Sequence, residues 1–446
     1  MTDYSLLLAV LAGIVLLLLL ILRLKLHAFI SLLICSMTVG FLAGMEPANI
    51  IASVEKGMGG TLGFVAIIVG LGAIFGAILE HSGGANAIAG FLIERFGINK
   101  APTALMLTGF VVAIPVFFDV AFILLVPILY ALQKKTGKSL LLFAIPLLAG
   151  LAITHAFIPP TPGPIAVANI VGADLGWVIF IGLVTGLPTA VVCGVFFGKY
   201  ISKKITAKIP ESFSMGDTLA QLPKVSMIFG IIGIPIVLIL LNTFINSGIV
   251  AVSNQTVKSV TAFIGHPFSA LIIANLVAWY FLGIKKGISK RALLEMTSKS
   301  LAPAGAIILI TGAGGAFKQM LIDSGAGTMI AKSLANVGFP VLLFSFIIAA
   351  LVRIVQGSST VAMITAASLV APLIENAPYT GLQLGCLVIA IASGASTTSH
   401  VNDSGFWLVN QYLGISEKET FKSWTVMTTL LALCGLVFVS AINYIF

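Results

Sequence analysis

Long apolar runs alternate with short polar breaks along this chain, and most runs are long enough to cross ~30 Å of hydrocarbon as a helix. They fall at about 4–26, 28–45, 61–80, 102–132, 139–172 and 175–198, and after a polar stretch from Lys199 to Lys224 a second series runs at about 226–246, 260–284, 303–322, 340–374, 383–413 and 424–446. An outer-membrane barrel would instead show roughly ten-residue segments of alternating polarity. The pattern predicts an all-α polytopic membrane protein, with a first membrane half at 1–200, a cytoplasmic linker at 201–225 and a second half at 226–446. The run from Tyr4 to Leu22 lacks a basic n-region and a small-residue cleavage site, so it reads as the first span rather than a signal peptide.

The halves share a pattern. VGLGAIFGAILEHSGG (69–84) lies over TGAGGAFKQMLIDSGA (311–326) at an offset of 242, matching Gly70 with Gly312, Gly72 with Gly314, Phe75 with Phe317 and Leu79 with Leu321. Thr154-His155 falls on Ser399-His400 at an offset of 245. These matches predict an internal repeat. In each half one run is too long for a single span and is interrupted, at Pro115–Asp119 and at Gln356–Thr360. Arms of ~12–15 residues are short for crossing, so each run is expected to be a re-entrant hairpin with its tip near mid-membrane. Runs 139–172 and 383–413 are interrupted by HAFIPPTPGP (155–164) and SHVNDSG (399–405), which predicts one broken helix per half. Irregular backbone at membrane depth is tolerated only where it is buried in protein or lines a cavity. Paired interruptions in corresponding places therefore point to a transport site.

Each half then has about five spans, a hairpin and a broken helix, and an odd number of crossings inverts the second half relative to the first. With the amino terminus outside, 19 Lys and Arg fall on the inner side, and Lys56, Lys258 and Lys332 fall on the outer side. That bias obeys the positive-inside rule and puts both termini outside. Alternating access between inverted repeats is the expected mode of action.

Composition narrows the class. Charged residues make up 9% of the chain and hydrophobic ones 59%, against ~25% charged in soluble domains. The net charge of +9 would suggest nucleic-acid binding on a soluble protein; here lysines and arginines in cytoplasmic loops account for it, and no nucleic-acid partner is expected. Cys35, Cys193, Cys386 and Cys434 sit in apolar runs without CxxC spacing and read as small buried hydrophobes. Walker A, HExxH, clustered Cys/His and GxSxG patterns are absent from the sequence. No ATP-driven pump, metal, cofactor or hydrolytic enzyme is therefore expected.

The few ionisable groups left in the apolar runs are costly there unless paired or wet. They are Asp119, His155, Lys318, Arg353, His400 and Asp403, with Glu80 and His81 near a span end. Asp119, beside Phe118 at the first hairpin tip, either caps a helix beginning at Val120 or, as a candidate substrate contact together with Phe118, shapes the substrate site or carries a proton. Gly357, Ser358, Ser359 and Thr360 present hydroxyls and free N–H groups at a helix start, suited to a carboxylate or polyol, with plain N-capping as the alternative. Arg353 either clamps a carboxylate or pairs with Asp403. In the broken helices, Thr154, Thr161 and Gly163 in one half and Ser399, Asn402 and Asp403 in the other are candidate substrate contacts. Prolines 159, 160, 162 and 164 exclude regular helix there. His155 and His400 precede the two breaks and join Asp119 and Asp403 as candidates for proton coupling, against purely structural roles. Lys318 is expected to pair or snorkel.

At these residues the chain resembles the gluconate permease family of proton symporters, within the ion-transporter superfamily. The resemblance is carried by EKGMGGTLGF (55–64), HAFIPPTPGP (155–164), GAGGAFKQMLIDSG (312–325), GSSTVA (357–362) and SHVNDSGFWL (399–408). It implies uptake of gluconate or a related sugar acid across the bacterial cytoplasmic membrane, driven by protons, in a homodimer whose transport parts move as an elevator. The family also includes carriers of smaller hydroxyacids and of a D-amino acid, so glycerate and D-serine are alternative substrates. Sodium-coupled carboxylate symport is the alternative coupling, and an intramembrane enzyme on a lipid-linked sugar is the non-transport alternative. The chain departs from the family pattern twice. Asp119 stands where many members have glutamate, and Thr161 stands where several have histidine, so a titratable group is missing at that second position.

Overall fold

The computed structural model describes residues 3–209, 222–246, 250, 252–325, 340–375, 378–400 and 403–445, and all regular secondary structure among them is helical. The first half contains α1 (Asp3–Leu22), α2 (Ala28–Leu42), α3 (Pro47–His81), α4 (Gly84–Phe96), α5 (Ala101–Val112), α6 (Phe118–Thr136), α7 (Leu141–Phe157), α8 (Pro162–Val171) and α9 (Leu175–Ile201). The second contains α10 (Val225–Asn246), α11 (Gln255–Ile264), α12 (Pro267–Lys286), α13 (Lys290–Asp323), α14 (Val341–Gln356), α15 (Ser359–Ile374), α16 (Gly381–Ala395), α17 (Ser404–Leu413) and α18 (Glu417–Ile445). Seven helical stretches among the described residues are long and apolar enough to cross a membrane.

Two helices dominate the packing. α3 has 35 residues and α13 has 34. At ~1.5 Å per residue each is roughly 50 Å long, far more than the hydrocarbon core needs. They pack along each other at a crossing that only glycine permits: a Cβ on Gly57 would lie 2.4 Å from the Gly315 carbonyl oxygen. Ser53 donates to Asp323 across the same pair at 2.7 Å. Apolar runs starting at 61 and 303 therefore understate both helices. Each extends several turns into polar sequence, starting at a proline in α3 and at the Ser289 cap in α13, because a helix emerging from the bilayer no longer needs apolar side chains.

α2 and α15 pack on α13, and α8 and α12 pack on α3. α15 is enclosed, with every side chain from Val361 to Ile374 buried. α5 and α6 both pack on α7, while α14 packs on α15 and α16. Close crossings again rest on glycine. A Cβ on Gly109 would fall 2.3 Å from the Leu147 carbonyl oxygen, and one on Gly150 would fall 2.2 Å from that of Met106, so α5 and α7 meet backbone to backbone.

Interruptions occur at 113–117, 158–161, 357–358 and 396–400, within the four stretches that carry polar or proline-rich breaks in the sequence. Gly357 turns the chain with φ +90°, a conformation that L side chains resist. Two expectations are corrected. The hydropathy pattern assigns no helix to 84–96, where α4 buries Ala87, Ile88 and Leu92 on one face; its remaining polar residues lower the average below that of a span. The run 260–284 is not one helix, because it breaks at Gly265-His266, where Pro267 starts α12 and His266 Nδ1 accepts the Phe268 N–H at 3.3 Å. Within the stretch between the halves, residues 205–207 are pinned to the start of α7. Ser139 Oγ donates to the Ile205 carbonyl at 2.8 Å, and Leu140 N–H donates to that of Ala207 at 3.0 Å.

Gly150→Leu is expected to lower stability by about 3 kcal/mol or more, since backbone cannot yield at that crossing. Gly59→Ala, whose new Cβ would meet nothing within 4 Å, is expected to gain up to about 1 kcal/mol of helix stability. Thermal midpoints of the two variants in detergent, compared with the parent, check both signs.

Candidate functional site

The interruptions converge on a cavity of about 730 Å³. Its wall is assembled from the tip between α5 and α6, the carboxyl-terminal part of α7, the α14–α15 turn, the start of α17 and one face of α18. The amino-terminal ends of α6, α15 and α17 all reach it. Each end presents unpaired backbone N–H groups and the positive end of a helix dipole, so the cavity favours an anion.

Charge in the wall is organised around Arg353. Only 5% exposed, its Nη2 donates to Asp403 Oδ2 at 2.5 Å. Asp403 is the cap of α17: its Oδ1 accepts the Gly405 N–H at 3.2 Å, and its Oδ2 also accepts the Ser399 hydroxyl. Ser399 is tied in turn to α18. Its Oγ accepts the Trp424 Nε1–H at 2.6 Å, its carbonyl accepts the Thr425 hydroxyl at 2.5 Å, and its N–H donates to Thr428 Oγ1 at 3.1 Å. Every polar group of this residue at the break is thereby satisfied.

Other polar atoms at the cavity are not. Nε and Nη1 of Arg353, Oε1 of Gln356 and Nδ1 of His155 are buried with no hydrogen-bond partner among the described residues. Asp119 stands exposed in the first turn of α6 and lines the same cavity. The capping alternative for it is excluded, since α6 begins at Phe118, two residues before Val120, with Phe117 in the cap position. Phe118 and Trp424 form an aromatic wall, their ring centroids 5.5 Å apart, and Phe117 lies 6.2 Å from the His155 ring.

Of the candidate residues, Phe118, Asp119, His155, Arg353, Gly357, Ser358, Ser359, Thr360 and Asp403 line this cavity together. Ser358 also caps α15, accepting the Val361 N–H at 3.4 Å, so capping and cavity lining coexist there. The rest lie elsewhere. Thr154 is fully buried beside His155, with Oγ1 unpartnered among the described residues. Thr161 occupies the position before α8 without capping it through its side chain, donates to the Ile158 carbonyl at 2.6 Å, and borders a separate small void with Gly72, Pro115 and Pro160. Gly163 sits where α8 meets α15, a Cβ there falling 2.9 Å from Met363 Sδ. Ser399 lies beneath Asp403, and His400 Nε2 is 2.9 Å from the Ile354 carbonyl oxygen. Asn402 is outside the described residues. Lys318 donates to the Ile170 carbonyl at 2.5 Å, next to the negative end of the α8 dipole.

Sequence reasoning passed over Gln356, Phe117, Ser396, Trp424 and Thr428, all in the wall. Gln356 carried a local signal, because it is three residues from Arg353 and so shares its helix face. Trp424 lies in a π-helical turn, Phe421–Thr425, an irregularity frequent at functional sites but invisible in hydropathy. No group of three or more His, Cys, Asp and Glu side chains able to hold a metal occurs among the described residues.

A family model described as GntP family permease matches residues 5–445. The chain is 41% identical over 442 residues to the low-affinity gluconate transporter of Escherichia coli K12, covering 98% of this chain and 97% of that protein. It is 40% identical to the gluconate permease of Pseudomonas aeruginosa, with 99% and 98% covered, and 36% identical to the Gnt-II system L-idonate transporter of Escherichia coli K12, with 97% and 98% covered. Among solved structures, the Alcanivorax borkumensis YdaH transporter shares the fold, with a TM-score of 0.64, 12% identity and 90% of each chain covered.

Asp403→Ala strands Arg353 as a buried unpaired charge and is expected to cost about 3–5 kcal/mol. The double variant Arg353→Met with Asp403→Asn removes both charges and is expected to recover most of the lost thermal midpoint without recovering ligand binding. Melting curves and equilibrium binding on the three proteins separate these outcomes.

Proposed function

Because the chain belongs to the GntP family of permeases, we propose that it takes up gluconate or a closely related sugar acid across the bacterial cytoplasmic membrane by symport with protons. The observation that carries this reading is one cavity where three helix amino termini meet a buried, incompletely paired arginine. Such a wall suits a carboxylate. The hydroxyls of Ser358, Ser359 and Thr360 and the polar edges of His155 and Gln356 suit a hydroxylated acid. Relatives named for gluconate and for L-idonate fit a six-carbon sugar acid.

Of the two carboxylates, Asp403 already neutralises Arg353, whereas Asp119 lines the cavity with no ion pair among the described residues. Asp119 therefore carries the coupling proton, with His155 in the same wall as a second acceptor. If more than one proton accompanies the anion, the step is electrogenic and gains ~2.3 kcal/mol per charge per 100 mV.

The two halves act as inverted repeats with both termini outside. Their matched long helices α3 and α13 and the histidine caps His27 and His266 on α2 and α12 support that reading. The α3–α13 pair serves as a static frame, one per subunit of a homodimer. Helices α5–α9 and α14–α18, which carry the interruptions, move against it as the elevator.

In proteoliposomes, an acid-outside pH gradient is expected to drive gluconate above its equilibrium level, and a protonophore is expected to abolish the accumulation. Asp119→Asn is expected to retain gluconate counterflow while losing the pH-driven accumulation. Uptake that requires sodium and ignores the protonophore at clamped potential would overturn the coupling assignment.

A further inference from the structure

The orphaned polar atoms of the cavity are not scattered. Arg353 and Gln356 are three residues apart on the last turn of α14, on one face of the helix. Arg353 is held by Asp403 through Nη2 alone, leaving more than half of its N–H donors, on Nε and Nη1, without partners among the described residues. Gln356 has the opposite deficiency, because its buried Oε1 is an acceptor without a donor. Burying an unsatisfied polar group costs about 1–3 kcal/mol, so two complementary deficiencies on one helical turn, at the wall of a large cavity, describe the ligand that relieves them. It must present an anionic acceptor and, next to it, a hydrogen-bond donor.

We infer that Arg353 and Gln356 together read the C1–C2 end of the substrate, Arg353 taking the carboxylate and Gln356 accepting a hydrogen bond from the 2-hydroxyl, so that the site selects 2-hydroxy acids. This assignment rests on the sugar-acid reading above and adds an orientation to it. The carboxylate end lies at the α14–α15 turn, where Ser359 and Thr360 add hydroxyls and the positive end of α15 adds its dipole. The polyol tail extends toward Phe118, Asp119 and Trp424 on the opposite elements. Asp119 supports this direction: a second anion at the start of α6 would meet its carboxylate, whereas the start of α15 carries no acidic residue.

The experiment is competition against gluconate uptake by 2-deoxygluconate and 3-deoxygluconate in proteoliposomes holding the full chain. A site that accepts the 2-hydroxyl leaves Gln356 Oε1 unpaired with the 2-deoxy acid, so 2-deoxygluconate is expected to compete roughly 10–100-fold less well than gluconate. The 3-deoxy acid is expected to lose much less. In Gln356→Leu, the KM for gluconate is expected to rise toward the inhibition constant of 2-deoxygluconate, which itself barely moves, erasing the gap. Equal competition by the two deoxy acids against the parent protein would overturn the assignment, and needs no variant to fold. A uniform weakening of all three acids in Gln356→Leu would overturn it as well. If gluconate accumulates but 2-deoxygluconate competes equally well, this inference alone fails; if no sugar acid is taken up at all, the transport reading fails with it.

Discussion

An arginine buried among membrane helices must be neutralised, and the pairing of Arg353 with Asp403 is the constraint on which the candidate site depends. A guanidinium at this depth is expensive without a counter-charge, and the counter-charge here sits at the cap of a different broken element. The pair therefore ties the end of α14 to the start of α17. Through Ser399, it also ties both to the π-helical turn of α18. Two irregular segments that would otherwise be free to shift are held in register, and the cavity between them takes its shape from that tie. The arginine remains short of partners even so. A side chain fully satisfied by protein would be a structural strut; one left with unpaired donors at a cavity wall is prepared for an anion.

The two broken helices meet the same physical demand by different chemistry. In the first half, prolines 159, 160, 162 and 164 delete backbone donors that would otherwise need partners, and Thr161 satisfies the Ile158 carbonyl at 2.6 Å. In the second half the donors remain, and side chains of α18 satisfy them: Thr428 takes the Ser399 N–H, while Thr425 and Trp424 serve its carbonyl and hydroxyl. The site is accordingly lopsided. Cation, hydroxyls and amide belong to the second half, whereas the first contributes Phe117, Phe118, Asp119 and His155. A ligand with one charged end and one hydroxylated end matches such a cavity better than a symmetric one does.

How much was legible in the sequence follows the range of each interaction. The membrane class, the four interruptions and half of the residues that line the cavity are visible as apolar runs broken by proline, glycine and hydroxyl residues. Those signals act within one turn of helix. Family segments such as GSSTVA and SHVNDSGFWL point to the same places. The true lengths of α3 and α13 were hidden, because hydropathy reports the bilayer and not the helix. α4 was hidden because its amphipathic pattern is set by packing on α5 and α6 rather than by lipid.

Local sequence thus determined the membrane class, where the chain breaks, and which polar side chains stand at the breaks. Only the tertiary structure decided which breaks face one another. Thr161 and Asp119 looked equally eligible as neighbours of a broken segment, yet α8 packs against α3 and α15 and turns Thr161 into a separate void, while α6 opens Asp119 onto the cavity. Arg353 was equally open to substrate or partner until Asp403, fifty residues away, was brought within 2.5 Å of it. Close approach of that kind is set by helices meeting at glycine crossings far apart in the chain, and no window of a few residues contains it.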